Sequence, residues 1–287
     1  MTNALFRIGF ANLTERSPFA VAVREGLEEA VAKRDNIELI LRDNDLNDDR
    51  ANANAEEFAE RNADLAIFYH INERIGMKLR STMIRFPVLT IDIPFPMCPH
   101  FGVNNQQSGE ILGDSLVQWI QRFWDGKVDK VLALVDARVL QSVRDRTEHS
   151  VKILNKALGL SNDAVFILDC GNDQETTIKN SLPVLKSWAQ YDRIGVVAFN
   201  ADSTFGIIEA GAQLGTLDKF AVVGHVADAN LLAEIQKPDT RVIATSYYDP
   251  ANYGEQLMRL VDDFRSGTRL PNRTLVDLEL HKAPVFG

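Results

Sequence analysis

Residues 86–116, FPVLTIDIPFPMCPHFGVNNQQSGEILGDSL, decide how this chain is read. Val88–Ile91 is a short apolar run closed by Asp92. A loop carrying Pro94, Pro96 and Pro99 follows. Residues 101–103 then lead into Asn104-Asn105, and helical spacing begins near Gln106. An apolar strand thus delivers a carboxylate to its C-terminal edge, after which the chain leaves for a second globule. In open α/β sheets ligands are met outside the carboxyl ends of the strands, so Asp92 is expected to face a ligand. Alone, Asp92 would read as a polar loop residue. The argument comes from the recurrence of the same arrangement along the chain.

Before this stretch, apolar runs at 6–11, 37–41 and 65–69 alternate with helical spacing over 18–31, 48–61 and 75–85. Pro18 fits a first helical turn, where its missing N–H costs nothing. After it, runs at 131–135, 165–168, 194–199, 220–224, 242–245 and 275–280 alternate with helices over 143–158, 175–189, 203–212, 229–236 and 250–265. Strands and helices alternating at roughly 25–35 residues imply right-handed βαβ units and mostly parallel sheets. Two sheets of about five or six strands fit the length better than one very wide sheet. No Gly/Ser linker, low-complexity tract or strong internal repeat stands out. The expectation is α/β: two doubly wound parallel-sheet lobes joined by short hinge crossings, with a ligand cleft between them. Residues 1–104 plus 246–271 would form the N-terminal lobe, and 105–245 plus 272–287 the C-terminal lobe.

At 287 residues, 45% apolar and 25% charged, the chain has an ordinary globular composition and length for two cores. A net charge of −9 without a basic run argues against a nucleic-acid surface. No apolar run approaches the roughly 20 residues of a membrane span. Residues 1–4 lead almost directly into the first strand, with no signal peptide. That fits a cytoplasmic chain or a secreted one lacking its leader. Cys98 and Cys170 lack metal-ligand spacing and fall in different expected lobes, so they read as passive.

Enzyme motifs are missing. There is no G-x-S-x-G elbow, Walker loop, G-x-G-x-x-G after the first strand, or H-E-x-x-H. The five histidines are scattered. His70 and His225 follow strands and can face a cleft, although a lone loop histidine is more often solvated. Asp48-Asp49 and Asp262-Asp263 fall on helix faces, where carboxylates are usually solvated. What remains is a set of hydrogen-bonding side chains just after apolar strands, Asn12, Ser17, Asp92, Asp136, Asn200 and Asp249 among them. Such an array suits a polyhydroxylated ligand, with Phe19 and Tyr69 able to cover the C–H face of a sugar ring.

At these residues the chain resembles the type I periplasmic binding proteins, the ribose- and galactose-binding group whose fold is shared by the effector domains of lac-type repressors. The resemblance rests on Ser17-Pro18-Phe19, VLTID ending at Asp92, VNNQQSG at 103–109, Arg144-Asp145-Arg146, VAFNADSTF at 197–205, VVG at 222–224 and residues 243–254. It implies that Phe19 stacks on a sugar ring beside Ser17, that Tyr69 takes a position often held by Asn, and that Asp92 accepts from two hydroxyls. Asn104 and Thr245 would lie at crossings, Arg144 would reach ring or hydroxyl oxygens, and Asn200 would bind a hydroxyl. His225 stands where the family has an aromatic-Asp pair, here His225-Val226, so an acceptor is missing unless Asp228 substitutes. Ile93 replaces a frequent arginine, Asn200-Ala201 replaces Asn-Asp, and Glu15-Arg16 is unusually charged for its loop. A complete ribose or galactose site is therefore not expected.

The resemblance implies a non-enzymatic solute-binding protein of an ABC-type transporter, closing on a small sugar or polyol and presented to a membrane permease. It would be monomeric, without cofactor or metal, and periplasmic or lipid-anchored outside the cell. The alternative is a cytoplasmic effector-sensing domain of a lac-repressor-type regulator, which needs a DNA-binding region ahead of Phe6. An enzyme on the same fold is the third reading, disfavoured by the absent catalytic set.

Overall fold

Apolar runs of four to seven residues become the strands of this protein: β1 (Phe6–Asn12), β2 (Ile37–Asp43), β3 (Leu65–Phe68), β4 (Val88–Ile91), β5 (His100–Val103), β6 (Lys130–Val135), β7 (Val165–Asp169), β8 (Ile194–Ala198), β9 (Phe220–Gly224), β10 (Val242–Tyr247), β11 (Arg273–Val276) and β12 (Glu279–Lys282). The computed structural model describes residues 5–139, 141–226 and 228–286. The lead-in at residues 1–4 lies outside them. Between the strands run helices α1 (Pro18–Ala32), α2 (Asp48–Glu60), α3 (Gly76–Thr82), α4 (Asn105–Phe123), α5 (Gln141–Leu158), α6 (Gln174–Ser187), α7 (Ala201–Gln213), α8 (Ala229–Ile235) and α9 (Tyr253–Arg265).

The strands form two six-stranded sheets, in the orders β2-β1-β3-β4-β5-β11 and β7-β6-β8-β9-β10-β12. Inner strands such as β3, β4, β8 and β9 are buried along their whole length. That is how parallel strands covered on both faces behave, and why their sequences are continuous apolar runs without alternation. In each sheet the first strand lies between the second and the third, so the chain winds outward in both directions. The two units therefore repeat one topology, although their sequences show no repeat. They differ at the sixth strand: β11 runs parallel to β5, whereas β12 runs antiparallel to β10.

The first unit comprises the described residues within 1–103, 138–142 and 249–276, and the second those within 104–137, 143–248 and 277–287. Several expected boundaries change. The single strand expected over 275–280 is two strands, and Arg273–Val276 pairs with His100–Val103 of the first sheet. The free edge of β5 takes these residues, so they leave the 272–287 segment assigned to the C-terminal lobe. Asn104 caps α4 and belongs with the second unit, as do residues 246–248.

β4 and β5 are parallel yet joined by residues 92–99 alone, with no helix. Parallel neighbours usually need about a dozen residues or more. Here Asp92 and Met97 take left-handed backbone conformations (φ 54° and 60°). Phe95 folds back into the core, 2% exposed and 5.9 Å from the Phe68 ring. Phe95 thus joins the core formed with residues of α2 and α3. Gly76 admits it, because a Cβ there would lie 2.9 Å from the Phe95 ring.

In the first unit α1 and α9 meet backbone to backbone. A Cβ on Gly254 would stand 2.0 Å from the Gly26 carbonyl oxygen, and one on Gly26 would stand 2.2 Å from that of Ala251. Arg34 clamps the pair, donating to Asp262 Oδ2 at 2.7 Å and Glu255 Oε1 at 3.1 Å. Since backbone cannot yield as a side-chain tip can, Gly254→Ala is expected to cost about 1–3 kcal/mol or more. Denaturant unfolding should show the loss. A midpoint equal to that of the parent would refute the tight contact.

Candidate functional site

In each unit a group of buried polar side chains lies at or near the carboxyl ends of the strands. In the first unit β1 ends at Asn12, which is fully buried. Asn12 Oδ1 accepts from the Leu13 N–H at 2.9 Å, and Nδ2 donates to Glu15 Oε1 at 2.8 Å. Asn44, after β2, donates to the Tyr69 carbonyl at 2.9 Å and so ties the ends of β2 and β3. Asp92, after β4, is 4% exposed and accepts from the Tyr253 hydroxyl at 3.1 Å. Tyr253 stands edge-on to Phe19 (5.8 Å) and Phe101 (4.9 Å). Phe19, Asp92 and Tyr253 therefore form one connected group. Ser17 is half-buried at the start of α1, with no side-chain cap bond.

His70 is fully buried, which corrects the expectation of a solvated loop histidine. Its Nε2 lies 2.9 Å from Asp48 Oδ1, while Asn72 Nδ2 donates to Asp48 Oδ2 at 2.7 Å. Asp48 is accordingly more than a solvated helix-face carboxylate. Asp262 likewise pairs with Arg34. A segment far along the chain joins this group, as Ser142 donates to Glu73 Oε1 at 3.0 Å.

In the second unit the arginine built into the structure is Arg146. It is 5% exposed, donating from Nε to Asn105 Oδ1 at 2.9 Å and from Nη1 to the Phe199 carbonyl at 3.4 Å. Its guanidinium also lies 5.0 Å from the Phe199 ring centroid, a cation–π contact. Arg144, expected to bind ligand, has a side chain 43% exposed and approaches Glu148 of its own helix at 3.8 Å. The reason is helical phase. Val143, Arg146, Thr147, Ser150 and Leu154 share the buried face of α5, and Arg144 falls off it. That spacing is visible in the sequence and was the signal for Arg146.

Beside Arg146 lies a second buried network. Ser108 Oγ is 2.8 Å from His225 Nδ1 and donates to Ser246 Oγ at 3.0 Å, which also accepts from the Val226 N–H at 3.3 Å. His225, expected to face a ligand cleft, is fully buried. Neither Ser108 nor Ser246 was singled out by sequence, since lone serines carry no distinguishing pattern.

Asn104 and Asn200 both serve as helix caps. Asn104 Oδ1 accepts from the Gln107 N–H, and Asn200 forms a capping box with Ser203 while donating to Asn172 Oδ1 at 2.8 Å. Thr245 is fully buried and donates to the Gly224 carbonyl at 2.8 Å, so its hydroxyl serves the sheet. Burial, with Asp228 and Asp173 nearby, pushes the Asp202 carboxyl above its usual range. Burial, with the Asp136 and Asp169 carboxylates adding to it, drives the Cys170 thiol up to about 12, which leaves it unreactive.

A profile of the periplasmic binding protein domain matches residues 8–268. The chain belongs to this family. No curated protein matches the sequence. Among solved structures, the fold is similar to an ABC transporter solute-binding protein from Bacillus halodurans C-125 with bound myo-inositol. That pair is 17% identical, covers 99% of this chain and 97% of that one, and has a TM-score of 0.82. A periplasmic solute-binding protein from Actinobacillus succinogenes 130z with bound D-allose gives 14% identity, 98% and 99% coverage and a TM-score of 0.80. One from Mycobacterium smegmatis with bound glycerol gives 17%, 99% and 96%, and 0.80. The family and these neighbours are binding proteins.

Three histidines are held neutral by their surroundings. Burial lowers His70 despite Asp48, lowers His100 to about 4 with Arg273 adding to it, and lowers His225 well below 6.5 with Arg146 adding to it. A group whose folded pKa is depressed contributes stability that is present above its unfolded value and lost as pH falls. Stability is therefore expected to hold above about pH 6.5 and to decline from there toward pH 4. Unfolding midpoints across that range test this, and His100→Gln should flatten part of the slope. An unchanged slope in that variant would remove His100 from the effect.

Proposed function

We propose that this chain is the solute-binding component of an ABC-type transporter and takes a small hydroxyl-rich solute, a sugar or polyol. The observation that carries the reading is the placement of buried polar side chains at the carboxyl ends of both sheets. Asn12, Asn44 and Asp92 stand there in one unit, and Asn105, Arg146 and Ser246 in the other. Buried hydrogen-bonding groups of both signs beside aromatic rings suit a ligand with an apolar ring and a polar rim. The full-length likeness to solute-binding proteins supports the same reading.

In this reading Asp92, aligned by Tyr253, accepts from ligand hydroxyls, with Phe19 against the ring. Arg146, rather than Arg144, supplies the charged donor. Binding needs no covalent step. The ligand favours the conformations that hold it best, and a permease responds to that shifted population. Such a protein works outside the cytoplasmic membrane as a monomer.

A thermal-shift screen over pentoses, hexoses, polyols and amino acids tests the class, because a ligand that binds only the native state must raise the melting temperature. A sugar or polyol is expected to do so. Stabilisation by amino acids alone would overturn the assignment. Asp92→Ala is expected to weaken binding of the hit by about 1–3 kcal/mol, through loss of a buried acceptor. Unchanged affinity by calorimetry would take Asp92 out of the site.

A further inference from the structure

The first sheet has a cavity at its amino ends, the end away from Asp92. Pro87 precedes β4, Pro99 precedes β5 and Asn272 precedes β11, and all three line it. These strands are parallel, so the cavity is set apart from Asp92 by the length of β4. Its volume is about 560 Å³, within the roughly 300–1,000 Å³ of small-molecule sites.

Backbone bonds fix the walls. The Thr90 N–H donates to the Pro99 carbonyl at 2.9 Å, and the His100 N–H donates to the Asn272 carbonyl at 3.1 Å. Beyond α9 the chain turns at Gly267 (φ 96°), where the Thr268 N–H donates to the Asp263 carbonyl at 2.9 Å. Leu270 is buried and anchors the next residues, while Arg269 stays exposed at the cavity. Met97 forms the rim. It is 89% exposed in a left-handed backbone conformation (φ 60°), which disfavours any residue with a Cβ. A flexible thioether held out in this way is suited to fold over an apolar occupant.

The lining contains no Asp or Glu. Burial raises the Cys98 thiol above its usual range, so it adds no negative charge. Arg269 makes no ion pair among the described residues. Asp262, on the neighbouring helix, is held by Arg34 at 2.7 Å, and Asp263 reaches none of the cations here. Arg80, whose charge acts on Cys98, and Arg273, whose charge acts on His100, are likewise without an ion pair among the described residues. An apolar hollow with cationic edges and no counter-charge matches a hydrocarbon that ends in an anion.

We propose that the first unit holds a small-molecule site here, separate from the strand-end polar groups, for an apolar monocarboxylate such as a medium-chain fatty acid. Arg269 takes the carboxylate, for which its planar fork is suited. Phe264, Leu270, Pro87 and Pro99 take the hydrocarbon, and Met97 closes over it.

The test is calorimetric titration of the full chain with octanoate, 1-octanol and acetate. Octanoate is expected to bind about tenfold or more tightly than octanol, with affinity falling as sodium chloride is raised. Acetate, lacking the chain, should give no measurable binding. Arg269→Gln should weaken octanoate about tenfold and leave octanol unchanged. Met97→Glu should weaken octanoate by like-charge repulsion. Both positions are exposed, so the variants fold as the parent does. Cys98 reports on the site directly: octanoate should slow its alkylation by N-ethylmaleimide, while the fully buried Cys170 stays silent. Equal binding of octanoate and octanol would overturn the charge assignment. Octanoate binding unchanged in both variants, with Cys98 unprotected, would overturn the location. Absence of octanoate binding would overturn the proposal. Each of these outcomes leaves the solute-binding reading standing.

Discussion

A parallel sheet covered by helices on both faces leaves only its ends for polar chemistry. That constraint arranges this molecule. Inner strands such as LAIF and IGVVA are buried from end to end, so hydrogen-bonding side chains gather where strands stop, and those inside strands, such as Thr90 and Thr245, bond to neighbouring strands. Asn12, Asn44, Asp92, Ser246 and His225 all obey it. They are buried and tied into networks, which offsets the cost of taking polar groups out of water, although Nε2 of His225 has no partner among the described residues. The polar groups come as linked sets because burial and satisfaction must be met together.

The same constraint explains what the sequence made legible. Continuous apolar runs marked the inner strands, and their spacing marked two doubly wound sheets. The chain's last strands were harder. Residues 275–280 look like one run, but β5 has a free edge that captures Arg273–Val276, and the remainder pairs with β10. Pairing partners are tertiary facts that a local pattern does not carry. β7 shows the converse, since its edge position leaves Phe166 and Ile167 exposed in a stretch that reads as core.

Site residues divide along a similar line. Asp92 was legible because a carboxylate ending an apolar run has few purely structural uses. Arg146 is legible from helical phase, whereas Arg144, the position the family resemblance points to, stands outside that phase. Tyr253 was not legible, because it meets Asp92 across 161 positions of chain. His70 and His225 read as loop residues, and only the packed structure shows them sealed against Asp48 and Ser108. Periodicity finds faces, whereas long-range hydrogen bonds must be seen.

The contact of Gly26 with Gly254 also bears on how the polypeptide matures. The first unit is discontinuous: its α1 packs on an α9 that begins at Tyr253, and its sixth strand ends at Val276. During synthesis the amino-terminal portion therefore emerges with that helix face uncovered and the edge of β5 open. It waits through the whole of the second unit before its last pieces arrive. Long-range closure of this kind slows folding and keeps apolar surface exposed while it lasts. The second unit, complete but for β12, can assemble earlier, so the portion of the chain made first is among the last to be finished.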